Sequence, residues 1–210
     1  VIPVEVLVLK PNIACMSIAF IAVLGVLATA VSVGVYRHRR FNRWENLHKA
    51  FAHNRNLQHN FQHQKRFHHY GSYRDYQVEV KPNQLNEVCF TRFSVAMINP
   101  NRKALRIAKK DPAFTALDTL APIDHPFQIH HDLGDWLLME TNDLLFSSLL
   151  LSDDIKISLY EIMKPIPAGL LFIHDEEMVL LCPLVMNQRE DLAYFDKALD
   201  LLCDIKDELN

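Results

Sequence analysis

The sequence predicts an α+β protein, in which an N-terminal transmembrane helix is followed by a mostly antiparallel sheet packed with two to three helices. Three observations predict it. Residues 13–36 form a run of 24 residues without a formal charge. Residues 76–80 and 88–97 alternate apolar and polar side chains, the period of strands with one buried face. Leu192, Phe195, Leu199, Leu202, Ile205 and Leu209 recur at spacings of three and four, the period of a helix with an apolar stripe.

Residues 1–12 are a short tail before the span. At ~1.5 Å per helical residue, the stretch 13–36 extends ~36 Å, enough to cross a hydrocarbon core of ~30 Å with some tilt. It is closed by Arg37, Arg39, Arg40 and Arg43. A buried core helix rarely runs this long without a polar face. A secretory signal carries its positive charge before a shorter apolar core and a small-residue cleavage site after it; here Ala28-Thr29-Ala30 lies inside the run and the basic cluster follows it. Only Lys10, beside Glu5, precedes the span, whereas Arg37, Arg39, Arg40, Arg43, Lys49, Arg55, Lys65 and Arg66 follow it against the single acid Glu45. By the positive-inside rule the C-terminal side is cytoplasmic, giving a single-pass protein of the inner membrane. The cysteines agree: Cys15 sits in the span, and Cys89, Cys182 and Cys203 are too far apart in sequence to resemble a disulfide framework or a zinc knuckle. The chain opens on Val1, and Met16 offers an alternative start of translation.

Residues 37–70 are basic and carry seven histidines, His38, His48, His53, His59, His63, His68 and His69. They read as a linker containing one juxtamembrane helix over residues 43–61, with Leu47 and Phe51 a turn apart. The expected partners are the bilayer itself, through residues 13–36, and anionic headgroups at Arg37, Arg39, Arg40 and Arg43. Beyond this linker the charge reverses: residues 71–210 hold 23 Asp and Glu against 13 Lys and Arg. That length lies in the usual range of one domain with its own core.

Within 71–210, residues 76–80, 88–97 and 105–107 read as strands punctuated by Pro82, Pro100 and Pro112. Asn99-Pro100-Asn101 between the second and third predicts a turn joining an antiparallel pair. Residues 136–141 read as a further strand, with Asn142 the N-cap of a helix over 143–151. Ser152 followed by Asp153 and Asp154 predicts a second N-cap, its acids facing the helix dipole, and Ile155, Leu159 and Ile162 give that helix its stripe. Residues 170–173 and 178–182 flank His174-Asp175-Glu176-Glu177 and read as a hairpin before the final amphipathic helix. No repeat of ~20 to 50 residues is present.

Chemistry is sparse. Five glycines, two of them in the span, leave Gly71, Gly134 and Gly169 isolated, so neither a phosphate-cradling loop nor a dinucleotide fingerprint exists. His59 and His63, four apart, would share one face of a helix as a zinc site requires, but no carboxylate completes the set. His68-His69 and His130-His131 have no obvious third ligand, and a solvated linker explains the first pair. No G-x-S-x-G elbow is present and no cysteine has a local catalytic signature. Asp132, Asp135 and Asp143 are acids in principle, although turn and cap positions explain Asp132 and Asp143. Arg102, Lys103, Arg106, Lys109 and Lys110 form the densest positive run of the acidic part, read as a solvated strand and turn or as a contact for headgroups or an acidic partner. Nothing resembles a nucleic-acid module, and no such partner is expected. The sequence assigns no catalytic, cofactor-binding or metal-ligating residue.

The order of span, basic segment, Gly71-Ser72-Tyr73-Arg74-Asp75-Tyr76-Gln77-Val78-Glu79-Val80, then Asp135-Trp136-Leu137-Leu138-Met139-Glu140-Thr141-Asn142-Asp143 and Leu149-Leu150-Leu151-Ser152 resembles a family of bacterial single-span membrane proteins of unknown function. Asp75 stands where that family often has glycine. The resemblance implies a membrane-anchored cytoplasmic α+β domain and supplies no activity. Two function classes follow: a non-enzymatic, membrane-tethered binding or scaffold module, which the lack of a reactive constellation favours, and a membrane-tethered hydrolase whose residues converge only in the fold.

Overall fold

The structure is a computed structural model that describes residues 13–61, 67–85, 88–99, 102–109, 122–129, 133–149, 152–174, 176–183, 186 and 188–209. The chain divides into two compact units, residues 1–43 and 44–210. Helix α1 (Ile13–Asn54) begins in the first and ends in the second.

In the first unit the apolar side chains of α1 face outward all round. Ile21 and Val26 are each 68% exposed, and Leu24, Leu27, Val31, Val33 and Val35 are exposed too. The few polar groups turn back on the helix: Thr29 Oγ1 donates to the Gly25 and Val26 carbonyls and Ser32 Oγ to that of Ala28. A helix that satisfies its polar atoms internally and leaves its apolar ones outside suits a hydrocarbon surround. It is long and apolar enough to cross a bilayer, and none of its apolar window is buried.

Among the described residues the second unit is a nine-stranded antiparallel sheet with three further helices, in order β1 (Gln58–Phe61), β2 (Phe67–Tyr73), β3 (Tyr76–Leu85), β4 (Val88–Ala96), β5 (Leu105–Lys109), β6 (Phe127–Gln128), β7 (Leu137–Thr141), α2 (Leu144–Leu149), α3 (Asp153–Met163), β8 (Leu170–His174), β9 (Glu177–Cys182) and α4 (Arg189–Leu209). In space the strands run β1-β2-β3-β4-β9-β8-β5-β7-β6. Successive side chains point to opposite faces, so the register sorts the residues. His69 opposite Val80, Phe93 opposite Leu180, and Ile107 opposite both Leu171 and Met139 share the helix-covered face. Phe195 of α4 stacks edge-on against Phe93 at 5.0 Å, and the Tyr194 hydroxyl reaches the Ile162 carbonyl of α3 and Cys182 Sγ of β9. On the other face a second buried apolar cluster unites Phe90, Ala108, Leu170, Phe172, Val179 and Leu181.

The fold departs from the sequence reading in several places. The second compact unit takes in residues from Trp44 onward, where Trp44, Leu47 and Phe51, at spacings of three and four, are buried together with Ala52. The helix expected to reach Phe61 ends at Asn54: Asn56 takes a left-handed φ of 55°, the Leu57 amide returns to the Ala52 carbonyl, and β1 follows. Pro82 lies inside β3, opposite Thr91, rather than ending it. Strands β4 and β5 do not pair, because the β8–β9 hairpin is inserted between them. Asp143, not Asn142, caps α2 through a 3.0 Å bond from the Phe146 amide. Ser152 does stand at the N-cap of α3, but its hydroxyl makes no capping bond and only its carbonyl takes the Lys156 amide. Pro100, Asn101, Pro112, Leu150 and Leu151 lie outside the described residues.

Candidate functional sites

The face of the sheet opposite the helices carries an open cleft of about 770 Å³ where β3, β4 and β9 meet the segment after β4. Gln77 and Glu79 of β3, Ser94 and Ala96 of β4, Asn99, Arg102, Glu176 and Glu177 line it. Its shape is held by two asparagines. Asn99 accepts from the Lys103 amide and donates to the Lys103 carbonyl, and Asn142 accepts from the Ala104 amide while donating to the Arg102 carbonyl. Arg102 sits in the left-handed region, φ 49°, and is exposed on the rim.

Two of the cleft's carboxylates, Glu79 and Glu177, meet basic side chains. Burial opposes the charge of Glu79, but Lys81 at 2.6 Å and His68 Nε2 at 2.7 Å outweigh it and hold its carboxyl below the usual range. Glu177 pairs with Arg92 across β4 and β9. A carboxylate held below its usual range, as that of Glu79 is, accepts hydrogen bonds and attracts cations, and is a poor general acid. The cleft is thus equipped to hold hydroxyl, amide or cationic groups.

The second site is buried. His48 of α1 and His69 of β2 are both inaccessible and share a hydrogen bond of 2.8 Å between His48 Nδ1 and His69 Nε2. Aromatic rings enclose them: Trp44 and Phe67 lie 4.5 and 4.1 Å from the His48 ring, and Phe51 lies 5.4 Å from that of His69. The outer nitrogens, His48 Nε2 and His69 Nδ1, have no hydrogen-bond partner among the described residues. Burial, with the charge of the neighbouring imidazoles, pushes both histidines down to about 3.

The residues singled out from sequence are distributed as follows. Of the basic run, only Arg102 opens on the cleft. Lys103 meets Asp143 at 3.3 Å, Arg106 pairs with Glu140, Lys109 donates to the Lys164 and Ile166 carbonyls over the Trp136 ring, and Lys110 lies outside the described residues. The run is therefore not one patch. His59 is on strand β1, so the helical His59–His63 geometry does not arise, and His63, Asp132, His130 and His131 lie outside the described residues. Asp135 is exposed, and Asp143 is held below the usual carboxyl range chiefly by the Phe146 amide. Among the described residues no three metal-binding side chains converge. Cys89 is exposed, while burial pushes the Cys182 and Cys203 thiols up to about 12. Much of the acidic excess is spent on α4: Arg55 clamps Asp196 and Asp200, Arg74 clamps Asp204 and Asp207, and the Tyr73 and Tyr76 hydroxyls donate to Asp200 and Asp207.

The His48–His69 pair escaped the sequence reading because the partners are 21 residues apart on different elements. The available signal was phase: His48 falls in step with Trp44, Phe51 and Ala52, and His69 with Phe67 on one face of a strand.

No family model matches the chain, and no curated protein matches it. Among solved structures, the fold is similar to the crystal structure of the mycobacterial trehalose monomycolate transport factor A, TtfA, with a TM-score of 0.51 over 77% of this chain and 92% of that one. At 12% sequence identity the likeness is one of fold.

Proposed function

We propose that this chain is a single-pass membrane protein whose α+β unit lies in the cytoplasm and serves as a non-enzymatic binding or scaffold module. The observation that carries the reading is the outward-facing apolar surface of α1, which needs a hydrocarbon surround. Arg37, Arg39, Arg40 and Arg43 follow it where anionic headgroups lie, each contributing ~1 kcal/mol of attraction. In the cleft, Glu79 held below the usual carboxyl range and Glu177 paired with Arg92 favour holding a polar partner over proton transfer. A shared fold with a protein named as a transport factor supports an accessory role at the membrane, as does the resemblance to bacterial single-span proteins.

A photo-crosslinking side chain at Gln77 or Ala96, activated in native membranes, is expected to capture one discrete partner. Diffuse labelling in proportion to protein abundance would sink the binding role. A reporter fused after Asn210 is expected to be active only in its cytoplasmic form, and neutral residues at the four arginines should weaken that orientation. Activity of a reporter that works only outside the cytoplasm would overturn it.

A further inference from the structure

We infer that the buried His48–His69 pair is a proton-operated latch, closing the last turns of α1 onto β1 and β2 while both rings are neutral and releasing them on protonation. Proton counting carries the argument. Two neutral imidazoles hold two ring protons among four nitrogens. One proton occupies the 2.8 Å bond, so one outer nitrogen keeps an N–H and the other a lone pair, and both are buried without a partner among the described residues. A first added proton takes the free lone pair, leaving the shared bond intact but creating a buried, unpaired cation. A second would set two N–H groups against each other and break the bond.

Among the described residues the surroundings offer no free anion to compensate. On α1, Glu45 is taken by Lys49 at 2.5 Å and His53 is exposed; Arg55, just past the helix end, is taken by Asp196 and Asp200. On α4, Asp196, next to Phe195, is the same carboxylate that Arg55 holds. His59 of β1 stands opposite His69 in the register and adds only positive charge when protonated. His68 of β2 points to the other face, where Glu79 and Lys81 of β3 engage each other and His68 itself. The aromatic rings tolerate neutral imidazoles, and the pair gains a proton by opening.

The direction follows from linkage. Burial holds both rings down at about 3 in the closed state, whereas an open, solvated imidazole titrates near ~6.5. Closure is therefore fully favoured above pH ~6.5 and lost as pH falls below it, the ratio of open to closed rising about tenfold per pH unit for each histidine that takes up a proton, or about a hundredfold for both.

Hydrogen exchange of the β1 and β2 amides, in the full chain held in detergent micelles and corrected for intrinsic rates, reads that ratio directly. Between pH 6 and pH 5 the wild type is expected to open about sixtyfold more. His48→Gln and His69→Gln should each show about eightfold, and the double variant almost none. His59→Gln, which leaves the shared bond of the pair in place, should keep most of the wild-type dependence. Protection of β1 and β2 that ignores pH in the wild type overturns the latch, as does a double variant that keeps the full dependence. If the variants fail to fold, the wild-type dependence alone decides.

Discussion

Leu199 is wholly buried on α4, one turn from Phe195, which reaches Phe93 on the sheet. Leu199→Ala removes three buried carbons and is expected to cost ~2 to 5 kcal/mol in denaturant unfolding, the larger value if the neighbours cannot collapse into the gap. Leu192→Ala, half-buried on the same helix, should cost distinctly less. These positions were legible because a stripe at spacings of three and four names its own buried face. Arg55 was not. It reads as one more linker cation, yet it arrives beside Asp196 and Asp200 from a helix 141 residues away in sequence. Arg55→Met leaves the two aspartates facing each other and should lower the midpoint of thermal unfolding more at low than at high salt, since screening relieves their repulsion.

At the scale of elements, β8, β9, α3 and α4 were readable because each is specified by neighbours a few residues away: a period, a cap or a hairpin. The pairing of distant strands leaves no such trace. β4 and β5 are close in the chain and carry a turn between them, yet β9 and β8 occupy the space that the turn implied. Ala96 of β4 faces Glu177 of β9 in the register, so Ala96→Cys with Glu177→Cys should cross-link under mild oxidation. Ala96→Cys with Arg106→Cys, on strands that do not touch, should not. Gel mobility with and without reductant measures both, and a cross-link in the second pair alone would reverse the strand order.

At the scale of the molecule, the folded unit takes in residues that composition assigned to a linker. Residues 44–210 are expected to melt as one cooperative transition, whereas a fragment of residues 71–210 lacks His48, Phe51 and Phe67, which pack around Phe195, and should melt broadly or aggregate. Circular dichroism on the two fragments separates these outcomes, and a sharp transition in the shorter one would restore the boundary at Gly71. The placement of β8 and β9 in mid-sheet also bears on how the chain is made. As it leaves the ribosome, β1 to β4 are complete more than 70 residues before β9 appears. Throughout that interval β4 presents a bare row of amides and carbonyls, and β5 lacks the neighbour it will have in the finished sheet. An arrest of synthesis anywhere before Cys182 therefore leaves a nascent chain with adhesive edges, and it is at this stage, rather than after release, that the protein depends most on chaperone cover.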